Sequence, residues 1–391
     1  MSTDTTLDHL IAEVRADLVA HPGPVDVSRV ARVLRESGQV LGAGSILEVT
    51  ARVRDHVEGL GALQHLARPG VTDLLVNGDG SVWIDSATGL QRTEVYIGAD
   101  QARELAVRLA TAGGRRLDDA VPYADAHLPS GARLHAVLPP LSPAGPLISL
   151  RLPAAQPLSL EDLLRLDAID LETEHLLRLI VQRRLPFLVT GGTGSGKSTL
   201  LAAMLGAADP GERIVVVEDA LELRIDHPHV VHLQSRHANS EGAGAVDLTA
   251  LVRQSLRMRP DRVVLGECRG GEIRELLQAL NTGHEGGCGT VHANTAADVP
   301  ARLEALGALG GLGREALAAQ AASALEVVLH LGREGGRRFL QEVALLERDR
   351  SGLLVCRTAL TVGADGPRPG PAAAALSARL GLASGGGRRA A

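Results

Sequence analysis

Pro186-Phe187-Leu188-Val189-Thr190 runs directly into Gly191-Gly192-Thr193-Gly194-Ser195-Gly196-Lys197-Ser198. The first five residues read as a short buried strand. The next eight spell G-x-x-x-x-G-K-[ST], and the chain from Ser198 to Leu205 reads as the opening of a helix. A strand before the glycines and a helix after them is the context in which this motif cradles phosphate. Backbone N–H groups and the positive end of the helix then converge on an anion. The spacing makes Gly191, Gly192, Thr193, Gly194, Ser195, Gly196, Lys197, Ser198 and Thr199 the candidate residues for a nucleoside triphosphate. Lys197 reaches the β- and γ-phosphates, and Ser198 sits on Mg²⁺. Of the 40 Lys and Arg residues in the chain, Lys197 is the one lysine. A solvated surface accepts either residue, whereas a loop wrapped around phosphates needs a compact ammonium on a flexible stem.

Working outward, Arg213-Ile214-Val215-Val216-Val217-Glu218-Asp219 and Arg262-Val263-Val264-Leu265-Gly266-Glu267 read as two more buried strands, with an amphipathic helix from about Asp247 to Met258 before the second. Strands alternating with helices imply a mainly parallel sheet covered on both faces. The C-terminal ends of such strands converge on the ligand crevice. Glu218 and Glu267 are therefore candidate catalytic carboxylates, one activating water and the other supporting Mg²⁺, and the sequence leaves open which does which. Asp219 and Glu222 read equally as caps or surface charge. Thr282 to Asn294 carries His284 and His292 among glycines. No further ligand stands at metal spacing, so a γ-phosphate sensor is the sharper reading, with structural histidines as the bland one.

The remaining chain sets bounds. Its 391 residues allow two or three domains. A net charge of −6 gives no general nucleic-acid surface, so no direct sequence-specific contact with nucleic acid is expected. Cys268, Cys288 and Cys356 are three widely spaced thiols, which suits a reducing compartment and offers no zinc ribbon. No basic-then-apolar leader and no apolar run near ~18 residues is present, so a cytoplasmic protein is expected. Residues 1–62 read as a helical extension from Leu7-Ile11-Val14-Leu18 and Val30-Val33-Val40, broken at His21-Pro22-Gly23-Pro24. Residues 63–152 read as a small α/β domain. It opens on a hairpin, Val71 to Gly78 with Ser81 to Asp85, has a helix from Gln101 to Ala112, and closes on strands Ala132 to Val137 and Leu147 to Leu152. Residues 153–157 form the linker, 158–362 the phosphate-loop domain, and 363–391 an Ala-, Gly-, Pro- and Arg-rich tail expected to be disordered.

Taken together, these residues resemble the secretion ATPases of type II/type IV systems, most closely the branch that powers Tad/Flp pilus assembly and its relatives in DNA-conjugation-type secretion. Leu60 to Leu66 and Val71 to Gly78 resemble the start of that family's N-terminal domain; Ser130 to Pro140 and Ile148 to Arg151 resemble its end. Gly191 to Ser198 matches Walker A. Ile214 to Glu222 resembles the Asp box, Val263 to Glu267 the Walker B segment ending in Glu, and Thr282 to Asn294 the His box.

The resemblance implies an α/β fold with a RecA-like P-loop C-terminal ATPase domain and a smaller N-terminal α/β domain. It also implies ATP and Mg²⁺ as cofactors, a homo-hexameric ring, nucleotide held between the two domains, and an inner-membrane platform as partner. By the same analogy His292 senses the γ-phosphate, and Arg133 and Arg151 reach phosphate from the N-terminal domain. Two departures stand out. Cys268 follows the Walker B Glu where a bulky aliphatic is common, and the four-cysteine zinc site of many extension motors is missing. A nucleotide-dependent switch and a DNA-translocating or conjugation ATPase are the rival readings.

Overall fold

The computed structural model describes residues 59–382 except 87, 154–155, 237–242, 335–336 and 364–365, together with residues 13, 14, 17, 27–36, 46 and 50. The chain divides into two compact units, Met1–Ala155 and Gln156–Ala391. In the N-terminal extension, helix α1 (Val27–Glu36) buries Val30 and Val33. Arg29 and Arg32 of this helix bond to Asp17 at 2.9 and 2.8 Å. Leu7, Ile11, Leu18, the 21–24 break and Val40 lie outside the described residues.

The first unit carries a six-stranded antiparallel sheet in the order β3-β2-β1-β6-β5-β4. Its strands are β1 (Val71–Val76), β2 (Ser81–Ser86), β3 (Gln91–Tyr96), β4 (Tyr123–His127), β5 (Arg133–Val137) and β6 (Leu147–Arg151). Helix α2 (Ala99–Ala112) packs on β4, β5 and β6. Side chains of a strand alternate between faces. Ala124, Ala126, Leu134, Ala136, Ile148 and Leu150 accordingly point into the core. The opposite face collects Asp73, Asp125, Arg133, His135, Ser149 and Arg151. β1 and β2 pair as the expected hairpin. β3 and β4 have no counterpart in the sequence reading. Residues 91–96, Gln-Arg-Thr-Glu-Val-Tyr, hold one aliphatic residue, and none of them is buried.

The second unit is built on a nine-stranded sheet in the order β15-β14-β13-β12-β7-β11-β10-β8-β9. From β12 to β9 all pairings are parallel, while β13, β14 and β15 extend the sheet antiparallel. The parallel strands are β7 (Phe187–Gly191), β8 (Ile214–Glu218), β9 (Val230–Gln234), β10 (Arg262–Leu265), β11 (Cys288–Val291) and β12 (Val327–Glu334). The antiparallel ones are β13 (Arg337–Arg348), β14 (Leu354–Gly363) and β15 (Gly366–Pro369).

In the central strands both faces are dry. Phe187, Val189, Ile214, Val216 and Val264 pack with helices α3 (Leu160–Arg165), α4 (Leu171–Gln182) and α5 (Lys197–Gly206). Their neighbours Leu188, Val217, Val263 and Leu265 pack with α6 (Leu248–Ser255), α7 (Ile273–Leu280), α8 (Val299–Leu309) and α9 (Arg314–Ala324). Helix starts follow local chemistry. Ser159 and Asp162 form a capping box on α3, and Asp170 and Asp247 accept the Thr173 and Ala250 N–H groups, each at 2.7 Å. Charged residues of these strands stand at the strand ends, while Thr190, Thr290 and His330 are buried within them and hydrogen-bonded.

The expected disordered tail is corrected over its described part. Beyond 363 the chain makes strand β15 and helix α10 (Ala373–Arg379). Ala372, Leu376 and Leu380 join the same core cluster as Phe187, and Arg379 lies 3.0 Å from Glu347. An i, i+4 leucine pair at the helical period gives this alanine-rich stretch one face to bury. Residues 383–391 lie outside the described residues.

Candidate active site

The glycine loop is shaped by what will not fit there. Gly191 closes β7 at φ 147°, and a Cβ at that position would stand 2.6 Å from Ser195 Oγ and 2.7 Å from the Leu331 carbonyl. Gly196 caps α5 in the left-handed region at φ 97°, which glycine adopts without strain. Thr193 and Gly194 are exposed, and Ser198 and Thr199 are half-buried in the first turn of α5. Ser195 Oγ is buried with no hydrogen-bond partner. A backbone arch, a buried hydroxyl with unused capacity and a lysine at a helix N-terminus together suit a polyphosphate, and Ser198 at the helix start suits its Mg²⁺.

Lys197 is 8% exposed. Its ammonium donates to the carbonyls of Gly191 at 3.1 Å and Gly192 at 2.9 Å, and to His292 Nδ1 at 3.3 Å. An ammonium only donates, so Nδ1 is the accepting nitrogen and the imidazole proton sits on Nε2. Nε2 lies 2.6 Å from Glu267 Oε1, a close approach that lacks hydrogen-bond geometry, and the other carboxylate oxygen accepts from Arg269 at 2.6 Å. Burial lowers the Lys197 pKa against the pull of Glu267. For Glu267 burial works upward, but the Arg269 hydrogen bond and the charges of Arg269 and Lys197 outweigh it and hold the carboxyl below its ordinary value. The chain Lys197–His292–Glu267–Arg269 thus joins the ends of β7, β11 and β10. Thr290 fixes the last two against each other. Its hydroxyl donates to the Gly266 carbonyl at 2.7 Å, and its own carbonyl accepts the Cys268 N–H at 2.9 Å.

Glu218 and Glu267 end neighbouring strands but are turned differently. Glu218 is 4% exposed, and its Oε1 accepts the N–H groups of Glu222 at 3.1 Å and Leu223 at 2.9 Å, folding the loop after β8 back on itself. Its Oε2 is buried without a hydrogen bond, 3.5 Å from His232 Nδ1. Only glycine fits at 266, because a Cβ there would meet Glu218 Cγ at 2.5 Å. Asp219 accepts from the Ser235 hydroxyl at 2.9 Å, and Glu222 is exposed. His284 donates its Nδ1 proton to the Ala279 carbonyl at 3.1 Å. The two histidines of the 282–294 stretch therefore have separate work.

In the first unit Arg133 and Arg151 are cross-strand neighbours on the polar face. Arg133 grips Asp125 through two bonds of 3.1 and 2.7 Å, and Arg151 reaches Asp73 at 3.2 Å. Three further groups escaped the sequence reading. Arg269 stands two residues after Glu267, a spacing that could have suggested the pair. His330 Nδ1 sits 2.9 Å from the Thr190 hydroxyl below the loop, its pKa pushed down by burial. Arg262 is 1% exposed, binds Glu212, and donates to the carbonyls of Gly286 at 3.1 Å and Val181 at 2.8 Å. It thereby anchors the His284–His292 loop to the start of β10. No local signal separates Arg262 from the other arginines.

A family model described as type II/IV secretion system protein matches residues 56–363. Over 320 residues the chain is 52% identical to a putative conjugal transfer protein of Mycobacterium tuberculosis, covering 79% of this chain and 90% of that one. A type IV secretion system PtlH homolog of Bordetella bronchiseptica is 37% identical over 255 residues, 59% of this chain and 75% of the relative. Among solved structures, the pilus retraction motor PilT with bound ADP gives a TM-score of 0.51 at 21% identity, over 72% of this chain and 81% of PilT. At that identity the likeness concerns the fold.

Proposed function

The chain belongs to the type II/IV secretion system protein family, whose model spans residues 56–363, and on that premise we propose that it is the ATP-hydrolysing motor of such a system. Its second unit is a RecA-like P-loop domain. The observation that carries the proposal is the meeting of Lys197, His292 and Glu267 at three adjacent strand ends, with His292 Nδ1 3.3 Å from Lys197 and Nε2 2.6 Å from Glu267. In this reading Gly191 to Thr199 cradle the phosphates of ATP, and Lys197 neutralises the β- and γ-phosphate oxygens. Ser198, supported by Glu267, would hold Mg²⁺, which would supply charge neutralisation at the phosphates. His292 bridges lysine and carboxylate, so a γ-phosphate that draws Lys197 away frees the imidazole to report it. Glu267, beside His292 and Lys197, orients the attacking water. Glu218, with one oxygen spent on the Glu222 and Leu223 amides, holds the neighbouring loop in place, and its second oxygen remains for a water or the metal shell.

The assembly follows the family logic: a homo-hexamer working on an inner-membrane platform from the cytoplasmic side, with Arg133 and Arg151 reaching phosphate from the first unit. Order on phosphate binding and release after hydrolysis then drive movement between units. Among the described residues no helix is long and apolar enough to cross a membrane. Two destinations for the work are carried forward. Tad/Flp-type pilin assembly rests on the resemblance of the four ordered motifs. Conjugal transfer is favoured by the 52%-identical Mycobacterium tuberculosis relative, which bears that description.

Phosphate release measured against protein concentration tests the motor. Specific activity rises as the ring assembles. Lys197→Ala and Glu267→Gln each lower kcat by about 10²–10³-fold while circular dichroism is unchanged. A Lys197→Ala protein with full activity ends the proposal, and turnover independent of assembly returns it to the switch reading.

A further inference from the structure

The hairpin of β12 and β13 stands beside the glycine loop. β12 runs parallel to β7 with Leu331 opposite Gly191, then continues past the end of β7. Beyond that point Arg333 faces Arg338 across the hairpin. A Cβ placed on Gly194 would lie 3.6 Å from Arg333 Nη1, and one on Gly196 would lie 3.6 Å from Arg338 Cδ. Both arginines are exposed. The neighbouring cations are engaged: Arg337 donates to the Asp167 carbonyl and lies over the Phe339 ring, and Arg269 is paired with Glu267. Among the described contacts, neither Arg333 nor Arg338 has an acidic partner.

Like charges directly opposite on paired strands repel, and a bound anion turns that cost into a gain. Guanidinium forks suit phosphate oxygens, which they grip in pairs. Accepting that the loop holds a nucleotide, we propose that Arg333 and Arg338 form a cationic clamp from the same unit that contacts the phosphate chain of the nucleoside polyphosphate. This clamp is distinct from Arg133 and Arg151 of the first unit. Lys197 grips the phosphates from the helix side, and the clamp closes on them from the hairpin side. It binds phosphate charge, so it favours triphosphate over diphosphate and is indifferent to the base.

The test uses the full chain and a fluorescent ATP analogue, with inorganic tripolyphosphate as competitor, at two ionic strengths. Arg333→Gln with Arg338→Gln keeps much of the side-chain bulk and removes the charge; Arg333→Lys with Arg338→Lys restores the charge. The Gln pair weakens ATP and tripolyphosphate binding by about tenfold or more and flattens the salt dependence, and the Lys pair recovers part of both. The melting temperature without nucleotide stays within a few degrees of wild type. Equal affinity in the Gln pair and wild type overturns the clamp, as does equal loss in the Gln and Lys pairs, which makes the side chains props for the loop. Failure of wild type to bind ATP, or indifference of binding to Lys197→Ala, condemns the nucleotide reading itself and is told apart by those controls.

Discussion

The two sheets of this protein handle polar side chains in opposite ways. In the antiparallel sheet of the first unit, one face is core and the other is wet, so Asp73, Asp125, Arg133 and Arg151 spread over its middle. In the parallel sheet of the second unit the central strands are dry on both faces, and Glu218, Glu267, Lys197 and His292 gather at the C-terminal rim. A sheet buried on both sides concentrates its chemistry. A sheet buried on one side disperses it.

That contrast sets how much could be read beforehand. Around Lys197 the motif is local, and the buried runs Ile214 to Val217 and Val263 to Leu265 announce themselves by composition, so the strand ends carrying Glu218 and Glu267 were legible. The directions of the two carboxylates were not. Glu218 turns toward the Glu222 and Leu223 amides, and Glu267 toward His292 and Arg269, because of loop geometry that residue types do not encode. Arg262 was hidden by abundance: one buried arginine among 40 Lys and Arg residues looks like any other until its partners are known. Helix α10 was hidden by its alanines, which mask the Leu376–Leu380 stripe. Strand β3 was hidden because its residues carry no apolar alternation.

The sharpest way to strain the comparison is to break a charge inside the dry sheet. Arg262→Ala leaves Glu212 buried at 6% exposure with only Arg184 beside it, at 2.9 Å. Removing one partner of a buried pair costs about 3–5 kcal/mol, and the remaining Arg184 places the expected loss near the lower end. Arg262→Met combined with Glu212→Leu removes both charges and is expected to cost less than Arg262→Ala alone. Urea unfolding followed by circular dichroism measures both. A loss below 1 kcal/mol for Arg262→Ala would mean the pair is solvated and the face wetter than its neighbours suggest.

A middling effect belongs to the C-terminal cover of the same sheet. Leu380 is fully buried against the cluster that contains Phe187. Truncating a core leucine costs about 2–5 kcal/mol, and a terminal helix that can shift to fill the gap keeps Leu380→Ala at the low end, about 2 kcal/mol. Truncation after residue 363 removes β15 and α10 together and lowers the melting temperature further. If truncation leaves stability unchanged, the second unit ends functionally at β14 and α10 is an attachment.

The smallest stability effect is expected on the wet face, and its value lies in being small. The Arg133–Asp125 pair leaves the two side chains 38% and 47% exposed. Ion pairs that open to water contribute about 0–1 kcal/mol. Asp125 is nonetheless held below its ordinary pKa, first by the Arg133 hydrogen bond, so the pair is formed at neutral pH. Arg133→Ala should therefore leave unfolding within about 1 kcal/mol of wild type. If Arg133 also reaches phosphate, as the family resemblance implies, kcat/KM falls by about tenfold or more in the same protein. Asp125→Ala separates the two roles: it releases the guanidinium from its partner and leaves turnover intact or raised. Loss of stability without loss of turnover in Arg133→Ala would make the arginine part of the sheet's own support, and the dispersed polar face would then be structural throughout.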